Sequence, residues 1–310
     1  IYMKWKLTPI KLELKVNWKI SRNESSFKQN YILSFEGFES EIAPNIRYGE
    51  TDERVKNEFK ELCEMDSVTV LAHWSNSFKN AVNNIFYKKN LETRLKLTGV
   101  VRVLTSFSIP IMDPAQVKDY LAKNDQFQIY KLKVSNAESV DLLQEVLKYT
   151  SKKVRIDANE GFDSLDSYLK FEQSFRAKNI ELVEQPFKKS MIAEYKSLKK
   201  ISSFPIIADE SVEDDFDPFE FKDMFHGVNI KLMKAGGIVS AYNLIQKAKA
   251  AELKIMLGCM IESSLGIREA YELAEFADYL DLDGALLLNN DPYEHLFESD
   301  KGFLIKKSTL

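Results

Sequence analysis

Cysteine and histidine are scarce in this 310-residue chain, which holds two cysteines, Cys63 and Cys259, and three histidines, His73, His226 and His295. Two thiols so far apart in sequence make no disulfide framework, and reduced thiols in a cytoplasmic setting are the expectation. The histidines close no strand-like run, which argues against a zinc centre. No apolar run approaches the roughly 18 residues of a membrane helix, and no basic segment followed by an apolar one opens the chain. Neither a transmembrane span nor a retained signal peptide is therefore expected. Basic charge is also wanting: 43 Lys and Arg stand against 47 Asp and Glu, a net charge of -4. Such a chain has no basic field to draw nucleic acid or an anionic membrane, so a small-molecule partner fits better. There is no internal repeat beyond a βα period and no low-complexity segment.

What is present is the material of a globular enzyme. With 45% hydrophobic and 29% charged residues, the chain can bury a large core, and its length suits one large domain with a smaller one. Eight short β-rich runs alternate with helical stretches, at residues 101–106, 129–134, 153–157, 180–184, 205–209, 228–231, 254–258 and 279–283. That alternation is the mark of a parallel α/β domain. The spacing suits the repeating unit of a (β/α)8 barrel. Helical signals lie between the runs, including a capping box at Ser135-x-x-Glu138.

Residues 1–98 read as a separate α+β unit. Residues 10–16 alternate as a half-buried antiparallel strand, and residues 51–63 as an amphipathic helix. Residues 21–30 form a polar stretch without apolar period, expected to be a mobile loop that closes over the barrel as a lid. The tail, 289–310, is expected to return and pack on this N-terminal unit.

Lys133, Asp157, Glu184, Asp209 and Lys231 each close one of the β-rich runs, with gaps of 24, 27, 25 and 22 residues. Barrel enzymes place their chemistry where strands end. Asp157, Glu184 and Asp209 thus supply three carboxylates to one mouth, where they would repel one another without a cation. All-oxygen ligation favours Mg²⁺, with Mn²⁺ as a substitute. Lys131 shares a strand face with Lys133 because side chains repeat every two residues. An amine beside a metal and a second ammonium loses proton affinity and can act as a base. Asp281 and Asp283 share a face in the same way and suit an ammonium ligand.

These residues resemble the enolase superfamily, and within it the muconate-lactonizing subgroup. The matching motifs run in order: Lys131-x-Lys133, Asp157-Ala158-Asn159, Glu184-Gln185-Pro186, Ala208-Asp209-Glu210-Ser211 and Asn229-Ile230-Lys231-Leu232-Met233-Lys234-x-Gly236-Gly237. Gly258-Cys259-Met260-Ile261-Glu262-Ser263 and Asp281-x-Asp283 are similar to the dipeptide epimerases of that subgroup, and residues 43–51 resemble their capping domain. The resemblance implies a modified TIM barrel, (β/α)7β, over residues 99–288 with residues 1–98 as an α+β capping domain, and a Mg²⁺-dependent isomerase that inverts the α-carbon of a dipeptide's C-terminal residue through an enediolate. Its implied substrate is L-Ala-D/L-Glu, with a place in peptidoglycan-peptide metabolism.

The roles implied by the family are specific. Lys133 and Lys231 exchange the proton on opposite faces, and Lys131 adds positive charge. Asp281 and Asp283 hold the free ammonium, while Arg22, Ser108 and Cys259 contact the substrate and Asn159, Glu210 and Glu262 support the site. Three alternatives stay open: an o-succinylbenzoate synthase, a muconate-type cycloisomerase, or a non-catalytic barrel that binds metal and ligand. Self-association into a homo-oligomer is open as well.

Overall fold

The computed structural model describes residues 5–20, 23–97, 99–175, 179–213 and 215–307. The chain opens with an antiparallel sheet of β1 (Lys6–Ile20), β2 (Asn23–Phe35) and β3 (Phe38–Ile42), followed by α1 (Asp52–Glu64) and α2 (Asn76–Lys89). Thr51 starts α1 as its side chain accepts from Arg54 N at 3.1 Å, satisfying one of the orphan donors of the first turn. Trp5, just before the sheet, and Tyr31, Leu33, Phe35 and Ile42 within it meet Val55, Leu62, Trp74, Phe78 and Ile85 in a core of their own.

The polar stretch expected as a mobile lid is for the most part strand. β2 begins at Asn23 and pairs with β1, with Asn30 opposite Ile10, while residues 21 and 22 lie outside the described residues. The misreading has a physical cause: Asn30 points inward, buried, and donates to Glu41 Oε1 at 2.8 Å. A buried polar residue satisfied in this way leaves no apolar period to read.

Eight parallel strands form the second layer: β5 (Phe107–Ile109), β6 (Ile129–Lys133), β7 (Lys153–Asp157), β8 (Ile180–Glu184), β9 (Ile206–Ala208), β10 (Gly227–Lys231), β11 (Lys254–Gly258) and β12 (Tyr279–Asp281). Their order in the sheet follows the sequence from β5 to β12. The two edges meet through Ser106 N donating to Leu280 O at 3.2 Å and Leu282 N donating to Thr105 Oγ1 at 2.8 Å. Outside lie α3 (Val117–Lys123), α4 (Val140–Tyr149), α5 (Leu165–Gln173), α6 (Ile192–Ile201), α7 (Pro218–Phe221), α8 (Leu232–Ala235), α9 (Ile238–Ala250) and α10 (Ser264–Tyr271). The large apolar core fills the space between these helices and the sheet.

Two expectations about the barrel's margins are corrected. The run at 101–106 does contain a strand, β4 (Arg102–Leu104), yet it belongs to a separate sheet with β13 (Phe297–Asp300) and β14 (Phe303–Lys306). The first barrel strand is β5, a few residues on. The tail's hairpin therefore pairs with β4 and not with the N-terminal unit, because the edge of β4 offers unpaired backbone groups and Val103 and Leu304 bury together there. The first part of the tail does return to the N-terminal unit, with Asn289 N donating to Glu13 O at 2.8 Å and Tyr293 Oη to Glu39 Oε2 at 2.8 Å. The capping box is also different: Asn136, not Ser135, caps, its side chain accepting from Glu138 N at 2.9 Å.

Inside the barrel, Leu182, Ile207 and Met256 pack with Tyr279 as a small apolar floor, separate from the main core. Their strands carry Glu184, Asp209 and Asp281 two residues further on, so the interior changes from apolar to ionic within one step of the pleat. Leu182→Ala removes part of that floor. It should lower unfolding stability by about 2–5 kcal/mol, the usual cost of a buried leucine truncated over a rigid cavity. A urea midpoint that does not move would show that the floor carries no such packing.

Candidate active site

At the centre of the mouth Asp157, Glu184 and Asp209 are all buried, and one ligand oxygen from each lies within 4.8 Å of the others. Beneath them stands Lys131, whose Nζ is 3.1 Å from Asp157 Oδ2, 2.9 Å from Glu184 Oε1 and 2.8 Å from Asp281 Oδ2. Burial pulls this ammonium's pKa down, but Asp157, Asp281 and Glu184 outweigh it and raise the pKa well above the ordinary value. Lys131 is thus a fixed positive charge at the bottom of the site.

Lys133 and Lys231 flank the acids. Lys133 Nζ donates to Asp157 Oδ2 at 2.7 Å and Lys231 Nζ to Asp209 Oδ2 at 2.8 Å. Their side chains are 13% and 12% exposed against 3% for Lys131, which sets them nearer the mouth. Burial lowers the pKa of Lys231, yet the Asp209 carboxylate raises it by more, leaving it above the ordinary value. Lys234 is the lysine here whose pKa is lowered, because burial, helped by the charge of Lys231, outweighs the pull of Asp209 at 3.0 Å.

The three acids do not share one state. Burial raises Asp157 and Asp209, but the lysines beside them win and hold both well below the usual carboxylate range. Glu184 is pushed up to about 7, chiefly by burial, with Asp157 and Asp281 adding to it against Lys131. It accepts from Asn229 Nδ2 at 3.0 Å through Oε2, while Oε1 takes no well-aligned hydrogen bond. Gly258 on β11 makes room for that asparagine, since a Cβ there would lie 2.4 Å from Asn229 Oδ1.

This donor set fits a small, hard divalent cation. It offers carboxylate oxygen only, and three carboxyl groups lie close together in a buried place, with Glu184 Oε1 facing the Lys131 ammonium at 2.9 Å without a well-aligned hydrogen bond.

The structure places the remaining expected residues as follows. Asp281 lies at the level of Lys131, tied to it and to Ser106 Oγ, which donates to Oδ1 at 2.7 Å. Asp283 accepts from Ser108 N at 2.7 Å and is pushed up to about 7 by burial and by Asp281. Ser108 thus reaches the site through its backbone, and the Cys259 thiol donates to Asp281 O at 3.3 Å. Asn159 Nδ2 donates to Glu210 Oε1 at 3.0 Å, joining two of the supporting residues. Glu262, in the turn between β11 and α10, is buried and accepts from Met260 N at 2.7 Å. Arg22 lies outside the described residues.

Several contributors escaped the strand-end reading. Asn229 and Lys234 were within reach of it, at two residues before and three after Lys231. Arg47, Glu160 and the buried Arg155 were not, because their partners are distant in sequence: Arg155 Nε donates to Glu181 Oε2 at 2.7 Å and Nη1 to Leu280 O at 2.6 Å. Asn159, Glu160 and Gln185 also adopt φ of 44°, 61° and 37°, left-handed values unusual for such residues. Each costs about 1–3 kcal/mol and persists where the surroundings over-determine it, commonly at functional sites.

Residues 114–302 match the family model described as Enolase C-terminal domain-like. The L-Ala-D/L-amino acid epimerase of Pedosphaera parvula is 40% identical over 204 residues, 65% of this chain and 58% of that protein. The enzyme of the same name from Flavobacterium johnsoniae is 31% identical over 253 residues, 80% of this chain and 70% of its own length. Among solved structures, a substrate-liganded L-Ala-D/L-Glu epimerase from Bacillus subtilis superposes with a TM-score of 0.84 at 24% identity, covering 99% of this chain and 96% of that one. A dipeptide epimerase from Methylococcus capsulatus, complexed with Mg and L-Arg-D-Lys, gives 0.86 at 22% identity, with 98% and 97% covered. The last two comparisons show the shared fold.

The raised Glu184 yields a prediction. A carboxyl whose folded pKa is raised from 4.5 to about 7 contributes stability that is complete below the lower value and lost as pH rises through the upper one. A cation must displace its proton below about pH 7, so Mg²⁺ affinity should be about tenfold weaker at about pH 6 than at about pH 8. The thermal shift produced by millimolar Mg²⁺ should shrink accordingly. An equal shift at both pH values would show that Glu184 carries no proton there.

Proposed function

The chain belongs to the enolase superfamily, and from that membership we propose that it is a Mg²⁺-dependent dipeptide epimerase, an isomerase in which Lys133 and Lys231 remove and replace the α-proton on opposite faces. One observation carries this reading. The two lysines stand on β6 and β10, four strands apart in a ring of eight, and each is paired to a different carboxylate of the central trio. A ligand bound between them would present one face to each amine. Simple ligand binding needs no such pair of bases.

Asp157, Glu184 and Asp209 are the residues that would hold Mg²⁺, which when bound supplies positive charge to a substrate carboxylate and lowers the proton affinity of nearby amines. Lys131 adds a permanent ammonium at the base of the site, where charge develops on that carboxylate as the α-proton leaves. One lysine accepts the proton while the other, already protonated, delivers its own from the opposite side. The roles reverse for the other epimer.

At the far end of the substrate, Asp283 would receive the free ammonium, with Asp281 adding negative charge from the layer below. An ammonium beside Asp283 would favour its ionised form, which burial now opposes. An acidic side chain on the epimerised residue, as in L-Ala-L-Glu, is the reading that rests on Arg22. Arg47, the arginine that the cap brings toward the mouth, is already paired with Glu160 and Glu210. The free thiols Cys63 and Cys259 suit a cytoplasmic setting, and no described helix is long and apolar enough to cross a membrane.

Incubating a dipeptide library with the enzyme and Mg²⁺ in D₂O should give α-deuterium at the C-terminal residue. Lys133→Ala and Lys231→Ala should each lower epimerisation by at least about 10²-fold, and each should keep exchange of a different epimer. Exchange of the same epimer by both would refute the assignment of opposite faces. N-acetylated dipeptides should not react, because a desolvated carboxylate left unpaired costs several kcal/mol. Arg22→Ala should lose any preference for Ala-Glu over Ala-Phe and Ala-Lys, and an unchanged preference would remove Arg22 from the site.

A further inference from the structure

We infer that Arg47 is a positioning residue for Lys133, acting from the cap across the barrel mouth; the inference rests on the two-base reading above. Arg47 sits in a short helical turn, Ile46–Tyr48, that is held without its guanidinium. Asn45 Oδ1 accepts from Arg47 N at 3.0 Å, Gly49 N donates to Ile46 O at 3.0 Å, and Glu50 accepts from Asn45 N at 3.0 Å and Ser77 N at 3.1 Å. The left-handed φ of 69° that ends the turn falls on a glycine, where it is unstrained. The side chain is therefore not needed to shape its own segment.

It spans instead to the barrel. Arg47 Nη2 pairs with Glu160, and Nη1 lies 3.4 Å from Glu210 Oε1. Both acids are buried to a few per cent exposure, 8% and 6%, where a carboxylate without a cation is costly. From them the contacts run inward to the proton-transfer lysine. Glu210 Oε1 accepts from Asn159 Nδ2 at 3.0 Å, Asn159 Oδ1 is 3.5 Å from Lys133 Nζ, and Asn159 N donates to Asp157 Oδ1 at 3.2 Å. Glu160 Oε1 also accepts from Lys189 N at 3.1 Å, tying in the loop after β8. Asn159 and Glu160 are the successive residues with left-handed φ, so the guanidinium braces the loop that is under strain.

The other lysine is anchored differently. Lys231 is held by Asp209, whose backbone N donates to Gln185 Oε1 at 2.9 Å and whose Oδ1 is 3.0 Å from Lys234 Nζ. Among the described residues, the Arg47 guanidinium approaches that side through its long contact to Glu210, the residue after Asp209. Loss of the guanidinium should therefore disturb the two faces unequally.

The test is α-proton exchange of each epimer in D₂O by wild type, Arg47→Met and Arg47→Lys. The epimer that Lys133→Ala ceases to exchange should slow by about 10²-fold in Arg47→Met, the scale of a misplaced catalytic group, while the other slows by no more than about threefold. The loss should fall on kcat more than on KM, and Arg47→Lys should recover part of it. Independently of turnover, amide hydrogen exchange across residues 158–162 should quicken in Arg47→Met. Equal slowing of both epimers, or unchanged amide exchange in that loop, would overturn the inference. A wild type that exchanges no dipeptide would instead refute the epimerase reading itself.

Discussion

Lys131 stands directly above the apolar floor of the barrel with Asp157, Glu184 and Asp281 around its ammonium, at 2.8–3.1 Å. Everything above it depends on that arrangement. A buried ion pair gains little against well-packed apolar side chains, but removing one partner leaves an uncompensated charge and costs about 3–5 kcal/mol. The barrel interior is consequently a lattice of mutual obligations. Asp157, Glu184, Asp209 and Asp281 each answer to at least one lysine, and of these four Glu184, held by Asn229 and Lys131, is the one that burial pushes toward its neutral form. A divalent cation would relieve that imbalance, which is why the donor set reads as a metal centre.

The cap belongs to the same accounting of charge. Glu41, at the end of β3, is buried and accepts from Ser263 Oγ at 2.5 Å, Ser263 N at 3.0 Å and Gly266 N at 3.2 Å, at the start of α10. Asn84 Nδ2 on α2 donates to Glu269 Oε2 at 2.7 Å, and Lys88 Nζ pairs with Glu269 Oε1 at 2.5 Å. A polar seam of this kind is favourable only when every member is satisfied, and it fixes the orientation of the two layers more sharply than an apolar seam would. The turn that carries Arg47 is thereby held at a set place over the mouth.

How much of this was legible in the chain depends on the reach of the pattern. Strand ends recur at a nearly constant interval, so Asp157, Glu184, Asp209, Lys133 and Lys231 could be read directly, and a period of two placed Lys131 beside Lys133. What the interval does not encode is which neighbour a strand will choose. Val103 reads as strand and is strand, yet its partner is Leu304, some two hundred residues away. Short β5 was hidden behind it. Depth was equally invisible: Asp281 and Asp283 look equivalent in sequence, whereas the first is tied to Lys131 and the second to the backbone of Ser108. Arg47 could not have been found, since its two acids are joined to it only by the meeting of the cap and barrel.

The central claim is that one substrate carbon lies between two amines, each serving a single face. The most direct measurement is the isotope content of substrate and product in the earliest turnovers in D₂O. Transfer between two lysines predicts that newly formed product carries solvent deuterium at the α-carbon while unreacted substrate keeps its protium. Product that retains the original proton from the first turnover would mean that a single base handles both faces, and would contradict the account.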